Sequence, residues 1–328
     1  MNGPLVSVIT ACWNGERYID RYFENILAQT YNDIELIFVN NGSIDRTGEI
    51  ANDYRSKLEK RGIIYKYIYL KKNAYTGGAK LLGLKMFSGE YFFCPDSDDI
   101  LHPDHIEKKV QFLENNKEYG LVVCQLRVVN EENLDVGVGI LKRDKPQGED
   151  KHFEDLIRGI NVVYTGCAFM MRRSIFLKIN PERDIYVSPY GENFQILLPF
   201  LYKSKCGYLD KVIGDYVVRS DSFTNTVYAE KRIESFSAQE IIISETLNRI
   251  KPDNMQYYLD ISTNKYMRAR FRHACVLKDM AQIQKYYIEM KNAGKLSLAD
   301  RIEYIACYSK IMSNALTFCR KMKSCLNY

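Results

Sequence analysis

The stretch "GEYFFCPDSDDILHPDHIEKKV", Gly89–Val110, carries three aspartates in four positions, Asp96, Asp98 and Asp99, directly after an apolar run. Glu90–Pro95 read as a buried strand. "PDHIEKKVQFLENN" reads as an amphipathic helix, with Asp104 as its expected cap. Carboxylates this close raise one another's pKa. A hard divalent cation, Mg2+ or Mn2+, relieves the repulsion, because such ions prefer carboxylate oxygen. Mg2+ in particular is held by one or two carboxylates plus substrate phosphates. Asp96 and Asp98, separated by one small residue, suit that role. Helix capping and solvation is the plainer alternative, and it is the reading given to Asp99.

The same strand–loop–helix pattern repeats outward. "LVSVITAC" (Leu5–Cys12), "IELIFVN" (Ile34–Asn40), "IIYKYIYL" (Ile63–Leu70) and "GLVVCQLRVVN" (Gly120–Asn130) are further strand candidates. Between the first two, Tyr18, Ile19, Tyr22, Phe23, Ile26 and Leu27 recur at helical spacing. The helix after "IELIFVN" is expected to be capped by Ser43 or Asp45. Alternating strands and helices predict an α/β protein with a nucleotide-binding, mostly parallel sheet flanked by helices. Ligands of such sheets bind outside the strand C-termini. Four segments fall there: "CWN" (12–14), "NNGS" (40–43), "KKNAYTGG" (71–78) and "DSDD" (96–99). They bring Trp13, Asn14, Asn41 and Asn73 to one crevice with the aspartates. No GxGxxG follows the first strand and no GxxxxGK[ST] occurs, so dinucleotide and P-loop readings lose their main support.

The chain has 328 residues, 46% of them hydrophobic, enough for one large domain or two modest ones. Its net charge of +5 does not point to nucleic acid. The charge is uneven, with 17 Lys and Arg against 9 Asp and Glu in residues 231–328. Nine cysteines without a CxxC pair suggest a reducing cytosol. "MNGPLVSVIT" enters a strand pattern directly, so no signal peptide is expected. No apolar run approaches the ~18–20 residues that span a bilayer.

"VSVITACWNGERYI", "IELIFVNNGSIDRT" and "GEYFFCPDSDDILHPDHIEKKV", in this order, resemble the opening, nucleotide-binding and D-x-D segments of the family 2 inverting glycosyltransferases, which have the A-type glycosyltransferase fold. The resemblance spans roughly residues 5–225. It implies that Asp98 is the principal metal ligand and that Asp96 helps hold ribose and metal. Trp13 stands at an aromatic position beside the nucleobase, and Ala11 at a backbone contact to it. Asn41 replaces an aspartate that pairs with uracil in many members, and Asn40 replaces another frequent aspartate. Lys80 stands at a common arginine position, where it offsets donor phosphate charge as a point charge. Leu81 replaces the asparagine that follows.

On the acceptor side, the family's Glu-Asp catalytic loop reads Glu192-Asn193. Asparagine is no base at neutral pH, so the expected base is Glu192. In "GDYVVRSDSFTNT" (214–226), Arg219 is expected at donor phosphate or on an acid, and Asp221 occupies a histidine position that meets the metal.

The resemblance implies a metal-dependent inverting transferase, moving a sugar from a nucleotide sugar, UDP first among them, to a saccharide or lipid-linked hydroxyl. Surface polysaccharide biosynthesis in the cytoplasm is the expected setting. A nucleotidyltransferase and a non-catalytic binding relative remain alternatives. The catalytic domain is expected over 1–228, with a nucleotide-sugar half to about 130 and an acceptor half from about 131. A helical extension follows over 229–328. Its basic amphipathic end is read as a solvated face, as a peripheral contact with the inner membrane face, or as a homodimer contact. "LKRDKPQGEDKHFED" (141–155) is the flexible-loop candidate.

Overall fold

The computed structural model describes residues 3–144, 149–222 and 231–309. Strand β1 (Val6–Cys12) is followed by helix α1 (Ile19–Leu27), β2 (Ile34–Asn40), α2 (Thr47–Asp53) and α3 (Arg55–Lys60). Then come β3 (Ile64–Tyr69), α4 (Tyr75–Met86), β4 (Tyr91–Phe93), the two-residue β5 (Ile100–Leu101) and α5 (His105–Asn115). Every residue of β2 is buried, as a strand covered on both faces requires. β1, β2, β3 and β4 pair in parallel, and Cys12 lies level with Asn40. The loops after β1 and β2 therefore leave the sheet side by side.

Beyond β4 the sheet becomes mixed. The long strand β6 (Tyr119–Asn130) is followed by β7 (Asn133–Leu141), α6 (His152–Arg158), β8 (Phe169–Arg172), α7 (Arg173–Ile179), α8 (Glu192–Lys203) and β9 (Lys205–Val218). The order is β3-β2-β1-β4-β8-β6-β9-β5, with β7 on β6. β8 runs antiparallel between β4 and β6, while β9 runs parallel to β6. The parallel half holds the loops after β1, β2 and β3, and the mixed half carries α8 and the end of β9 to the same edge.

Three local expectations differ from the structure. Arg46, not Ser43 or Asp45, is the residue before α2 and its side chain makes no cap bond, although Asp45 Oδ1 accepts from the Thr47 N–H at the helix start at 3.0 Å. Asp104 precedes α5 but also makes no side-chain cap. The 141–155 stretch is anchored where it is described. Arg143 is buried and pairs with Asp150 and Asp155 at 3.1 and 2.9 Å. Residues 145–148 of that stretch lie outside the described residues.

Among the described residues four helices follow, α9 (Arg232–Ile250), α10 (Met255–Leu277), α11 (Met280–Asn292) and α12 (Leu298–Tyr308). Ile242, Ile243 and Leu247 of α9 and Tyr266 of α10 join the main core, continuous with the sheet. A smaller core forms around Phe271, Ile283, Tyr286 and Met290. Among the described residues no helix is long and apolar enough to cross a membrane. The basic end beyond residue 309 lies outside the described residues.

Candidate active site

The loops at the strand C-termini are stitched to one another by side chains on backbone. The Asn14 amide N–H donates to Ser43 Oγ at 3.0 Å, and Ile44 N–H donates to Asn14 Oδ1 at 3.0 Å. Asp45, expected as a cap, accepts at Oδ1 from the Thr47 N–H that opens α2 and at Oδ2 from Glu16 N–H, each at 3.0 Å. Asn41 is buried, and its amide holds the next loop: Oδ1 accepts from Ala74 N–H at 2.9 Å and Nδ2 donates to Asn73 Oδ1 at 3.2 Å. Both halves of the amide are used, which an aspartate at 41 would not reproduce. Trp13 projects beside these loops and is 51% exposed, so core packing does not account for the chain's single tryptophan. Ala11 lies level with Val39, one residue before the end of β1.

The acidic loop turns tightly, with Asp99 N–H donating to Asp96 C=O at 3.3 Å. Its three carboxylates take three different jobs. Asp99 is buried and accepts from Thr165 Oγ and Cys167 Sγ, each at 3.0 Å. Burial, then Asp98 and Asp96, push its carboxyl well above the ordinary range. It ties the loop to the turn before β8. Gly166 makes that tie possible, because a Cβ there would lie 2.0 Å from the Cys94 carbonyl oxygen. Asp98 pairs with Arg219 Nε at 3.0 Å, and its carbonyl accepts from Arg21 Nη2 at 2.8 Å. Its carboxyl is also pushed up, by burial and next by Asp96, against the pull of Arg219. The Arg219 guanidinium lies 4.4 Å from the centre of the Tyr18 ring.

Asp96 faces Lys80, which unites the two halves of the site. Lys80 is fully enclosed, which excludes an exposed helix lysine. Its Nζ lies 3.1 Å from Asp96 Oδ1, 3.1 Å from Glu192 Oε1 and 3.4 Å from Asn193 Oδ1. Burial alone would lower the pKa of this ammonium. Asp96 and Glu192 outweigh it, and the pKa is raised. Asn193 also donates from Nδ2 to Tyr164 C=O at 3.0 Å. An aspartate at 193 would set a carboxylate oxygen against that carbonyl. The asparagine is thus a bridge between Lys80 and the Tyr164 backbone, and Glu192, first residue of α8, is the carboxylate at this entrance.

Asp221 stands apart from the other acids. Arg17 holds it at 2.8 Å, Arg219 reaches it at 3.8 Å, and Arg17 also pairs with Glu131 at 2.6 Å. Arg17, Arg21 and Glu131 escaped the sequence reading, because nothing in their local pattern distinguishes them from solvated charges. Among the described residues no group of three His, Cys, Asp or Glu side chains is assembled for a metal ion. Asp96 and Asp98 fit a cation that takes two carboxylates and completes its shell with phosphate and water, and do not fit an all-protein cage. Burial first and the like charge of Asp96 second raise the Asp98 carboxyl, and a cation between the two would relieve the second.

The C-terminal edge of the parallel strands thus gathers an acidic pair and a facing carboxylate joined through a buried lysine, a candidate active site of the kind an α/β transferase would use. The comparisons agree. Residues 7–179 match the model of glycosyl transferase family 2, and the chain belongs to that family. An uncharacterized glycosyltransferase of Rickettsia typhi is 28% identical over 266 residues, 79% of each chain. One from Haemophilus influenzae is 28% identical over 264 residues, 79% of this chain and 76% of the relative. S. aureus TarS residues 1–349, solved with UDP, shares the fold with a TM-score of 0.57 at 16% identity, over 94% of this chain and 82% of that one. The Pyrobaculum calidifontis mannosyltransferase PcManGT, solved with GDP-Man and Mn2+, gives a TM-score of 0.51 at 14% identity, over 93% and 86%.

Proposed function

We propose that this glycosyltransferase moves a sugar from a nucleotide-sugar donor, a UDP-sugar first among candidates, to a hydroxyl of a saccharide or lipid-linked acceptor, with inversion at the anomeric carbon. The observation that carries this reading is the buried ammonium of Lys80, held between Asp96 on the donor side and Glu192 on the acceptor side. UDP in TarS and GDP-Man with Mn2+ in PcManGT support a nucleotide-sugar donor and a divalent cation. Asp96 and Asp98 would hold the cation, Mg2+ or Mn2+, which supplies charge neutralisation for the departing diphosphate.

Glu192 takes the acceptor hydroxyl's proton at Oε2, since Oε1 faces Lys80. The acceptor oxygen forms its bond to the anomeric carbon from the face opposite the leaving diphosphate. The carbon–oxygen bond to phosphate breaks, and the configuration inverts. Trp13 stacks beside the base, and Arg219 passes from Asp98 to a donor phosphate. Asp221, already on Arg17 and Arg219, then orients Arg219, and would be the further carboxylate available to hold the cation. Residues 1–228 form the catalytic unit. The helices after it supply part of its core as well as the basic extension. We assign the work to the cytoplasm, in polysaccharide assembly. The seven cysteines among the described residues are all free thiols, in keeping with a reducing compartment.

The test is nucleotide release from a panel of UDP-, GDP-, CDP- and TDP-sugars with Mn2+, followed by an acceptor screen. One donor is expected to turn over in the native protein and not in Asp98→Asn. Equal turnover in both proteins would defeat the assignment.

A further inference from the structure

A second cavity, of about 620 Å3, opens at the other edge of the sheet, where β6 and β9 begin. Among its lining residues are Asn116, Tyr119, Asp150, His152, Phe153 and Tyr208. Helix α8 connects the two places. Glu192 begins it in the crevice, while Leu201, near its end, lines the cavity. The helical rise puts Glu192 and Leu201 about 14 Å apart.

The polar frame of the cavity is fixed in advance. Asp150 accepts from Arg143 Nη2 at 3.1 Å, from His152 N–H at 3.0 Å and from the Tyr208 hydroxyl. Arg143 is itself buried and donates to Asn161 C=O at 2.6 Å. Against this frame stands an unspent group. His152 is 2% exposed, and neither ring nitrogen has a hydrogen-bond partner. Burial, then Arg143, push this imidazole down to about 3, so it is neutral and offers one donor and one acceptor.

We propose that this cavity is a saccharide-binding subsite that takes a neutral pyranose unit of the acceptor chain. A pyranose offers hydroxyls that donate and accept together, which suits a neutral imidazole beside the Asn116 amide. Its C–H faces suit the rings of Tyr119, Phe153 and Tyr208. One acid and one base, Asp150 and Lys205, line the cavity, and Asp150 is already paired, so no charged ligand is favoured. Binding one unit of a chain here raises the effective concentration of another unit at Glu192. That purpose rests on the acceptor being a saccharide, as proposed above; the binding itself needs no turnover.

The test is saturation-transfer NMR on the full chain, without donor or metal, using cellobiose, lactose and N,N'-diacetylchitobiose. At least one disaccharide is expected to show transfer, reduced at least fivefold in His152→Phe and in Asn116→Ala and unchanged in Asp98→Asn. His152→Phe keeps a ring between Phe169 and Tyr208, and Asn116→Ala decides the matter if His152→Phe fails to fold. No transfer from any of the three, transfer that survives the cavity variants, or transfer lost in Asp98→Asn would each overturn the subsite. Loss of transferase activity with the transfer signal intact would instead count against the crevice assignment alone.

Discussion

Lys80→Met removes the one cation enclosed between the two carboxylates of the crevice. The Glu192 side chain is 15% exposed and the Asp96 side chain 38%. Glu192 is therefore left as a largely buried unpaired charge, a situation that costs about 3–5 kcal/mol where both partners are buried. Its residual exposure places this case at the low end, about 3 kcal/mol. Asp96 is solvated enough to add at most about 1 kcal/mol. The predicted loss is about 3–4 kcal/mol, read as a lower urea midpoint by circular dichroism. A cycle with Glu192→Gln isolates the pair: direct contact predicts a coupling of about 1–3 kcal/mol. The double variant should recover part of the stability lost in Lys80→Met alone, because no buried charge then stands unpaired. A loss below about 1 kcal/mol for Lys80→Met, with coupling below about 0.5 kcal/mol, would refute the network.

Glu192→Gln should lower transfer about 10²- to 10⁴-fold with donor binding retained, measured under chemistry-limited conditions. Near-full activity would move the base elsewhere. Trp13 is the only tryptophan and is half exposed, so its fluorescence should change on titration with UDP and Mn2+; an unchanged spectrum at saturating nucleotide would separate it from the base. Asp215 supplies a pH prediction. Burial would raise its carboxyl, but His102 at 3.1 Å and Arg127 at 2.9 Å outweigh that and bring it to about 2. Its contribution, about 2 kcal/mol, is complete above the unfolded value near 4 and disappears as pH falls through about 2. In Asp215→Asn, acid unfolding over that window should flatten. Finally, truncation after residue 228 should give an unstable or insoluble protein, since Ile242, Ile243 and Leu247 complete the main core. A soluble, cooperatively melting 1–228 fragment would contradict this.

The alternation of apolar runs and helical periods made the parallel half of the sheet legible, because β1 and β2 are seven-residue, mostly buried apolar runs and β3 is a run of Ile and Tyr broken only by Lys66. The mixed half was harder. β5 has two residues, and β7, "NLDVGVGIL", has mostly exposed residues and two glycines, which give no burial pattern to read. Caps failed for a related reason. Ser43 has the right chemistry but its oxygen is taken by the neighbouring loop, while Asp45 divides its oxygens between the helix start and that loop, and only tertiary structure decides that competition. At the site, the D-x-D spacing singled out Asp96 and Asp98. The meeting of Lys80 with Glu192 joins positions 112 residues apart, and no local pattern encodes it. The separation of Asp99 from its neighbours likewise depends on Thr165 and Cys167.

Proton NMR of a reaction with the donor selected by the panel, Mn2+ and a matched acceptor tests the central claim most directly, because it reports nucleotide release and anomeric configuration in one spectrum. An α-linked donor should give a β-linked product in the native protein and no product in Asp98→Asn. A retained α-linkage, or the same product yield from Asp98→Asn, would contradict direct displacement at a crevice built on Asp96, Asp98 and Glu192.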